Sequence, residues 1–159
     1  MRKIKLTKGY YAILDDDDFT RLGQFKWSAL EAKNGVIYAV RYDRDEFVFL
    51  HREVMGTRDP SVMIDHRNRN GLNCTRRNLR FCTNSLNSAN RIKSRCPASS
   101  FFKGVSWDKI NRKWRADIQV NYKRLNLGRF CSEKEAARAY NAAAKKYFGE
   151  FASVNLGVL

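Results

Sequence analysis

The chain lacks any apolar run long enough to cross a bilayer, and no apolar core region follows its basic start, Met1-Arg2-Lys3-Ile4-Lys5. This gives no sign of a membrane span or a secretory signal, so a cytoplasmic setting is expected. Its four cysteines, Cys74, Cys82, Cys96 and Cys131, form no CxxC pair, which argues against a structural zinc knuckle and for reduced thiols. Histidine is scarce: His51 and His66 alone can carry imidazole chemistry. Acid is scarce beyond residue 60. Residues 1–60 are nearly neutral, with 11 basic and 10 acidic groups, whereas residues 61–97 carry 8 basic groups against one acidic. Residues 98–159 carry 12 against 5, and the whole chain of 159 residues has a net charge of +15. A field of that sign concentrates polyanions, and phosphate neutralisation makes nucleic acid the leading partner.

The first part of the chain alternates strand-like runs with polar breaks: Tyr10–Leu14, Val36–Val40 and Phe47–Leu50. Asp15-Asp16-Asp17-Asp18 invites a metal reading, but aspartates also cap helix starts and complement the dipole there. Phe19, Leu22, Phe25 and Trp27 follow at near-helical spacing, so a solvated helix start is expected. The Pro- and Ser-containing stretch from Ser94 to Ser100 reads as a break. Beyond it, Trp114, Ala116, Ile118 and Val120 alternate with Arg115, Asp117, Gln119 and Asn121, a strand with one apolar face. Leu125 and Leu127 continue the pattern in a second strand, and Gly104–Trp107 suggests an earlier one. Ser132 and Glu135 make a capping box before an alanine-rich helix that closes at Gly149. Three strands packed on one helix are expected.

Between Ile64 and Asn90 lies the pattern richest in chemistry. Ile64-Asp65-His66 is an apolar strand tip carrying an acid and an imidazole. A polar turn leads to Arg76-Arg77-Asn78-Leu79-Arg80, and then to the asparagine-rich helix start from Asn84 to Asn90. Asp65 and His66 are adjacent and would face opposite ways in a regular strand, but they can diverge at its end. Asn87 and Asn90, three apart, share a helix face. A carboxylate and a carboxamide are acceptable ligands for a hard cation, and a neutral imidazole can take a proton from water.

These residues resemble the HNH nuclease signature, in the H-N-N variant of phage and intron-borne homing endonucleases. Asn78 stands twelve positions after His66, and Asn87 nine further. Leu50-His51-Arg52, Lys8-Gly9-Tyr10 and Lys26-Trp27-Ser28 are similar to upstream parts of that family, and the resemblance covers residues 5 to 93. It implies a ββα-metal module in which His66 is the general base and Asp65 and Asn87 hold one divalent cation, Mg2+ or alternatively Mn2+. It further implies that Asn78 braces the loop bearing His66 and that Asn90 supports the helix or the phosphate. The sequence departs from the family pattern at Asn87, where histidine is common, and at Cys74. His51 reads equally as a buried structural histidine and stays outside the catalytic set. Arg67, Arg69, Arg80 and Arg91 are expected to contact DNA, with Arg76 and Arg77 on the same basic rim.

Residues 101 to 155 resemble the APETALA2 (ethylene-response-factor) DNA-binding domain, through Phe102-Lys103-Gly104-Val105, Trp114–Ile118, Leu127–Phe130, Glu135–Asn141 and the close from Phe148 to Asn155. The resemblance implies a sheet laid in the major groove. The alternation puts Arg115, Asp117, Gln119, Arg124 and Asn126 outward, joined by Lys103 and Ser106: cations for phosphates and amides for base edges. Ser106 and Gln119 replace family arginines and Asn126 an aromatic, so the family's target sequence is not implied. Trp107 suits either sugar packing or core cover.

The expected protein is α+β. A nuclease domain with an N-terminal β-rich extension spans residues 1–95, a linker 96–100 and a DNA-binding domain 101–159. The expected activity is site-specific, metal-dependent nicking of double-stranded DNA, with phage or mobile-intron origin, expression in a bacterial host and no membrane. One catalytic set per chain suggests a monomer, with a dimer as alternative. A DNA-binding regulator with a degenerate nuclease module is the competing reading, and an RNA-binding protein a third.

Overall fold

In the computed structural model, which describes residues 1–93 and 99–158, β1 (Arg2–Lys5) pairs antiparallel with β2 (Tyr11–Leu14). Packing divides the chain into two units, Met1–Thr83 and Asn84–Leu159. Most of the expected linker, residues 96–98 with Cys96, lies outside the described residues. The elements described are mixed: four small antiparallel sheets and four α-helices. None of these helices is long and apolar enough to cross a membrane.

In the first unit, α1 (Asp16–Leu22) starts on the aspartate run as expected. It stops at Leu22, so Phe25 and Trp27 lie beyond it, and the Trp27 indole donates to Leu22 O at 2.9 Å. Asp16 and Asp17 are exposed, but Asp18 corrects the solvated reading: it is 2% exposed. Arg76 holds it through two hydrogen bonds of 2.8 Å, and Arg21 adds a third. Burial alone would raise the Asp18 carboxyl, but the bonds and charges of Arg76 and Arg21 outweigh it and hold the carboxyl below the usual range.

A meander of β3 (Ser28–Glu31), β4 (Ile37–Asp43) and β5 (Glu46–Phe49) follows. Its tight β4–β5 turn places Arg44 and Asp45 at φ 47° and 70°, the left-handed geometry that two-residue hairpins require. Leu50 does not extend that strand; it begins α2 (Leu50–Met55), which Gly56 closes at φ 71°. The last pair is β6 (Met63–His66) with β7 (Leu79–Cys82). Ile4, Leu6, Leu14, Leu22, Trp27, Leu50, Val54 and Leu79 form the core, closed by Cys74, whose thiol burial pushes up to about 12.

The second unit begins with α3 (Asn84–Asn90). Its sheet is the expected one: β8 (Val105–Asp108), β9 (Lys113–Val120) and β10 (Lys123–Phe130), antiparallel in the order β10-β9-β8. α4 (Glu133–Phe148) starts on the expected capping box, with Lys134 N donating to Ser132 Oγ and Ser132 N to Glu135 Oε2. Ala116 and Ile118 on β9 pack with Ala136, Ala137, Tyr140 and Ala144 on α4 in two adjoining clusters. Small helix residues allow that approach, and Gly104 serves it too. At φ 74°, a Cβ there would lie 2.0 Å from the Tyr140 ring.

Candidate functional site

The β6–β7 register sets Asp65 opposite Arg80 and His66 opposite Leu79. Asp65 and Arg80 side chains are 5% and 6% exposed, and Arg80 reaches Asp65 Oδ2 from Nε at 2.8 Å and Nη2 at 2.6 Å. Arg80, expected to face DNA, is therefore buried against the candidate metal ligand. The reason is cross-strand pairing: an acid buried in an apolar hairpin is tolerable only with a charged partner.

His66, at the end of β6, is buried beside His51, which lies outside the expected catalytic set. Its ring centroid lies 5.1 Å from that of His51, at 75°, and Tyr38 stands 6.0 Å from His66 and 5.7 Å from His51. α2 supplies His51, and the sequence signal for it was Leu50-His51-Arg52. Burial pushes the His66 imidazole down to about 4, against the opposing pull of the Asp65 charge. Burial, then the neighbouring His66 and Arg52, push His51 down to about 3. Both rings are neutral at pH 7, the state in which an imidazole can accept a proton.

Between the two strands, side chains lock the turn. Asn78, buried, accepts from Asn68 N at 3.1 Å and donates to Asn73 O at 2.7 Å, while Arg67 N donates to Asn78 O at 2.9 Å. Asn68 and Asn70 accept from backbone N–H groups two residues on, and Asn73 from the Thr75 hydroxyl. The turn is anchored outside itself as well: Ile13 N donates to Leu72 O at 2.8 Å and Cys74 N to Ile13 O at 2.9 Å. Gly71 fits against β4, where a Cβ would come within 2.4 Å of Ile37 O. Arg67 and Arg69 are exposed on this turn.

Asn87 and Asn90 lie on α3, in the other unit from Asp65 and His66. Asn87 is half-buried and Asn90 buried, while Arg91 just beyond is exposed. Carboxylate and carboxamide oxygens, as on Asp65 and Asn87, are hard donors of the kind Mg2+ takes. Among the described residues no group of three or more His, Cys, Asp or Glu could hold a metal ion.

On the sheet of the second unit, a shallow cleft of about 410 Å3 is lined by Lys103, Ser106, Arg115, Asp117, Gln119 and Arg124 together with Tyr140. Gln119, Arg124 and Asn126 are exposed. Arg115 Nε lies 2.8 Å from Asp117 Oδ2, a charge contact without hydrogen-bond alignment, and Asn126 reaches the same carboxylate at 3.4 Å. Lys103 differs from expectation: its Nζ donates to Ala89 O and Arg91 O rather than standing clear on the sheet. Trp107 is 38% exposed with its ring 5.1 Å from that of Trp114, so it both covers core and meets solvent.

No family model matches the chain, and neither does any solved structure. Among curated proteins, an uncharacterised HNH endonuclease of Acanthamoeba polyphaga mimivirus is 32% identical over 152 residues, covering 93% of this chain and 76% of that protein. A shorter stretch of 76 residues is 38% identical to an AP2/ERF and B3 domain-containing protein of Oryza sativa subsp. japonica, covering 44% of this chain and 20% of the rice protein. The chain belongs to the HNH endonuclease family.

Proposed function

We propose that this protein is a site-specific, divalent-metal-dependent DNA endonuclease of the homing type, carried by a phage or mobile element and acting in its host's cytoplasm. The observation that carries the reading is His66: a buried imidazole, neutral at pH 7, next in the chain to a buried carboxylate and at the mouth of a turn braced by Asn78. Asp65 and Asn87 hold one divalent cation, Mg2+ in preference to Mn2+. When bound, that cation supplies Lewis acidity at the phosphate and stabilises charge on the leaving oxygen. His66 takes the proton of the attacking water at a ring nitrogen. Asn78 fixes the turn after His66, and Arg80 orients the Asp65 carboxylate. Arg67, Arg69 and Arg91, all exposed, contact backbone phosphates, and Asn90 supports α3.

The second unit acts as an APETALA2-like DNA-binding module. Arg115 and Arg124 present cations to duplex DNA for phosphates and guanine edges, Gln119 and Asn126 amides for adenine, and Ser106 a hydroxyl. One catalytic set per chain makes a monomer a nicking enzyme. Supercoiled plasmid carrying the protein's own genomic neighbourhood, incubated with Mg2+, tests this: open circles are expected first and are absent with His66→Ala. Linear product without prior open circles contradicts nicking by a monomer.

One observation favours a second reading, a DNA-binding regulator that does not cut: Arg80 already occupies Asp65 Oδ2. That reading predicts equal DNA binding by wild type and His66→Ala, with no cleavage by either under any divalent metal.

A further inference from the structure

α3 is seven residues long, far below the ~12–15 residues at which an isolated helix begins to persist in water. It must be held by packing. Within the second unit, Leu86 and Ala89 lie against Ile118, Tyr140, Ala144 and Phe148, so the sheet and α4 supply its apolar seat. Polar contacts fix its two ends. At the start, Asn121 N donates to Ser85 Oγ at 3.3 Å. At the close, where helix carbonyls run out of intrahelical partners, Lys103 Nζ donates to Ala89 O at 2.7 Å and to Arg91 O at 2.5 Å. An ammonium there also complements the negative end of the helix dipole.

Lys103 is itself held in place. Its N–H donates to Asn155 Oδ1 at 2.6 Å, and its carbonyl accepts from Asn155 Nδ2 at 3.1 Å. Asn155 is in turn paired through its backbone with the Asn141 side chain on α4, at 2.7 and 2.9 Å. A second lysine crosses the other way: Lys93 Nζ donates to Ser100 O at 2.7 Å and Phe102 O at 2.9 Å. The two lysines staple the segments that flank residues 94–98.

We propose that Lys103 is a positioning residue for catalysis, tying the end of α3 and so fixing the helix that carries Asn87, and that the sheet-and-helix module is the mount of α3 as well as a DNA-binding face. The proposal rests on the role of Asn87 given above. It assigns Lys103 to the helix rather than to a DNA phosphate, and the two roles respond differently to salt.

The test uses the full chain with Lys103→Met and Lys103→Arg, reading single-turnover cleavage at saturating DNA, duplex affinity against salt, and hydrogen exchange of the α3 amides. Lys103→Met is expected to slow cleavage on the order of tenfold to a hundredfold, the scale of a small misplacement at a catalytic centre. The slope of log affinity against log salt stays at the wild-type value, the α3 amides exchange faster, and Lys103→Arg restores most of the rate. An unchanged rate with a salt slope smaller by about 0.9 marks a phosphate contact and overturns the proposal. Should Lys103→Met fail to fold, Ser85→Ala, which removes the tie at the other end of α3, is read the same way: a slower rate at unchanged slope supports the mount, and an unchanged rate overturns it. If the wild type cuts no DNA under any divalent metal, the nuclease reading fails by itself. Exchange still judges the mount then, and equal α3 protection in wild type and Lys103→Met overturns it.

Discussion

Arg80 stands directly across the β6–β7 hairpin from Asp65, and its guanidinium grips Asp65 Oδ2 from two nitrogens with both side chains buried. Breaking such a pair leaves a buried charge uncompensated. Arg80→Met should therefore destabilise the fold by ~3–5 kcal/mol, with Arg80→Met/Asp65→Asn recovering much of the loss. Urea unfolding of wild type and the two variants checks this, and a single-variant loss below ~1 kcal/mol contradicts a structural role for the pair.

The burial of His51 and His66 makes stability depend on pH. Unfolded, each imidazole titrates near its usual 6.5; folded, they lie near 3 and 4. As pH falls below 6.5 the unfolded chain takes up protons that the folded chain refuses, so stability drops; above 6.5 this contribution is constant. By pH 5 the loss is about 2 kcal/mol per histidine. Chemical unfolding between pH 7.5 and 5 in metal-free buffer measures it. A flat profile, or an unchanged one in His51→Leu, contradicts the buried neutral pair.

Asp18 is the buried anchor between α1 and the segment after the Asn78 turn's start, holding Arg76 and Arg21. Arg76 is largely exposed, which discounts the pair, yet the carboxylate itself is not. Asp18→Asn should cost ~2 kcal/mol, the range of hydrogen bonds to a charged group. Thermal unfolding checks it, and Asp16→Asn on the exposed side serves as the near-neutral control.

Gly104 has a positive φ and no room for a methyl group against Tyr140. Gly104→Ala should destabilise the second unit by ~1–3 kcal/mol or more through overpacking and backbone strain. A melting temperature equal to that of wild type contradicts the close approach.

Much of the second unit was legible in the sequence because its signals are local: period-two alternation on β9, a capping box at Ser132 and Glu135, and a glycine after α4. The first unit was less so. β1 and β3 are four-residue strands with weak alternation, α2 is six residues long, and the β4–β5 turn uses Arg44 and Asp45 where glycine or asparagine would announce it. At the candidate site, residue types pointed to Asp65 and His66, and the family resemblance to Asn78. The burial of Arg80 follows from hairpin register, and the nearness of His51 from a helix that periodicity could not reveal. The ties of Lys103 to α3 join residues 14 and 12 positions apart and leave no mark in sequence spacing.

Under the proposed function, Asp65 and Asn87 hold one divalent cation. Manganese binding to the full chain in the presence of duplex DNA, titrated calorimetrically at low enough temperature to suspend cleavage, tests it most directly. One tightly bound Mn2+ per chain is expected for wild type and His66→Ala, lost in Asp65→Ala and in Asn87→Ala. Equal binding by wild type, Asp65→Ala and Asn87→Ala would contradict the claim.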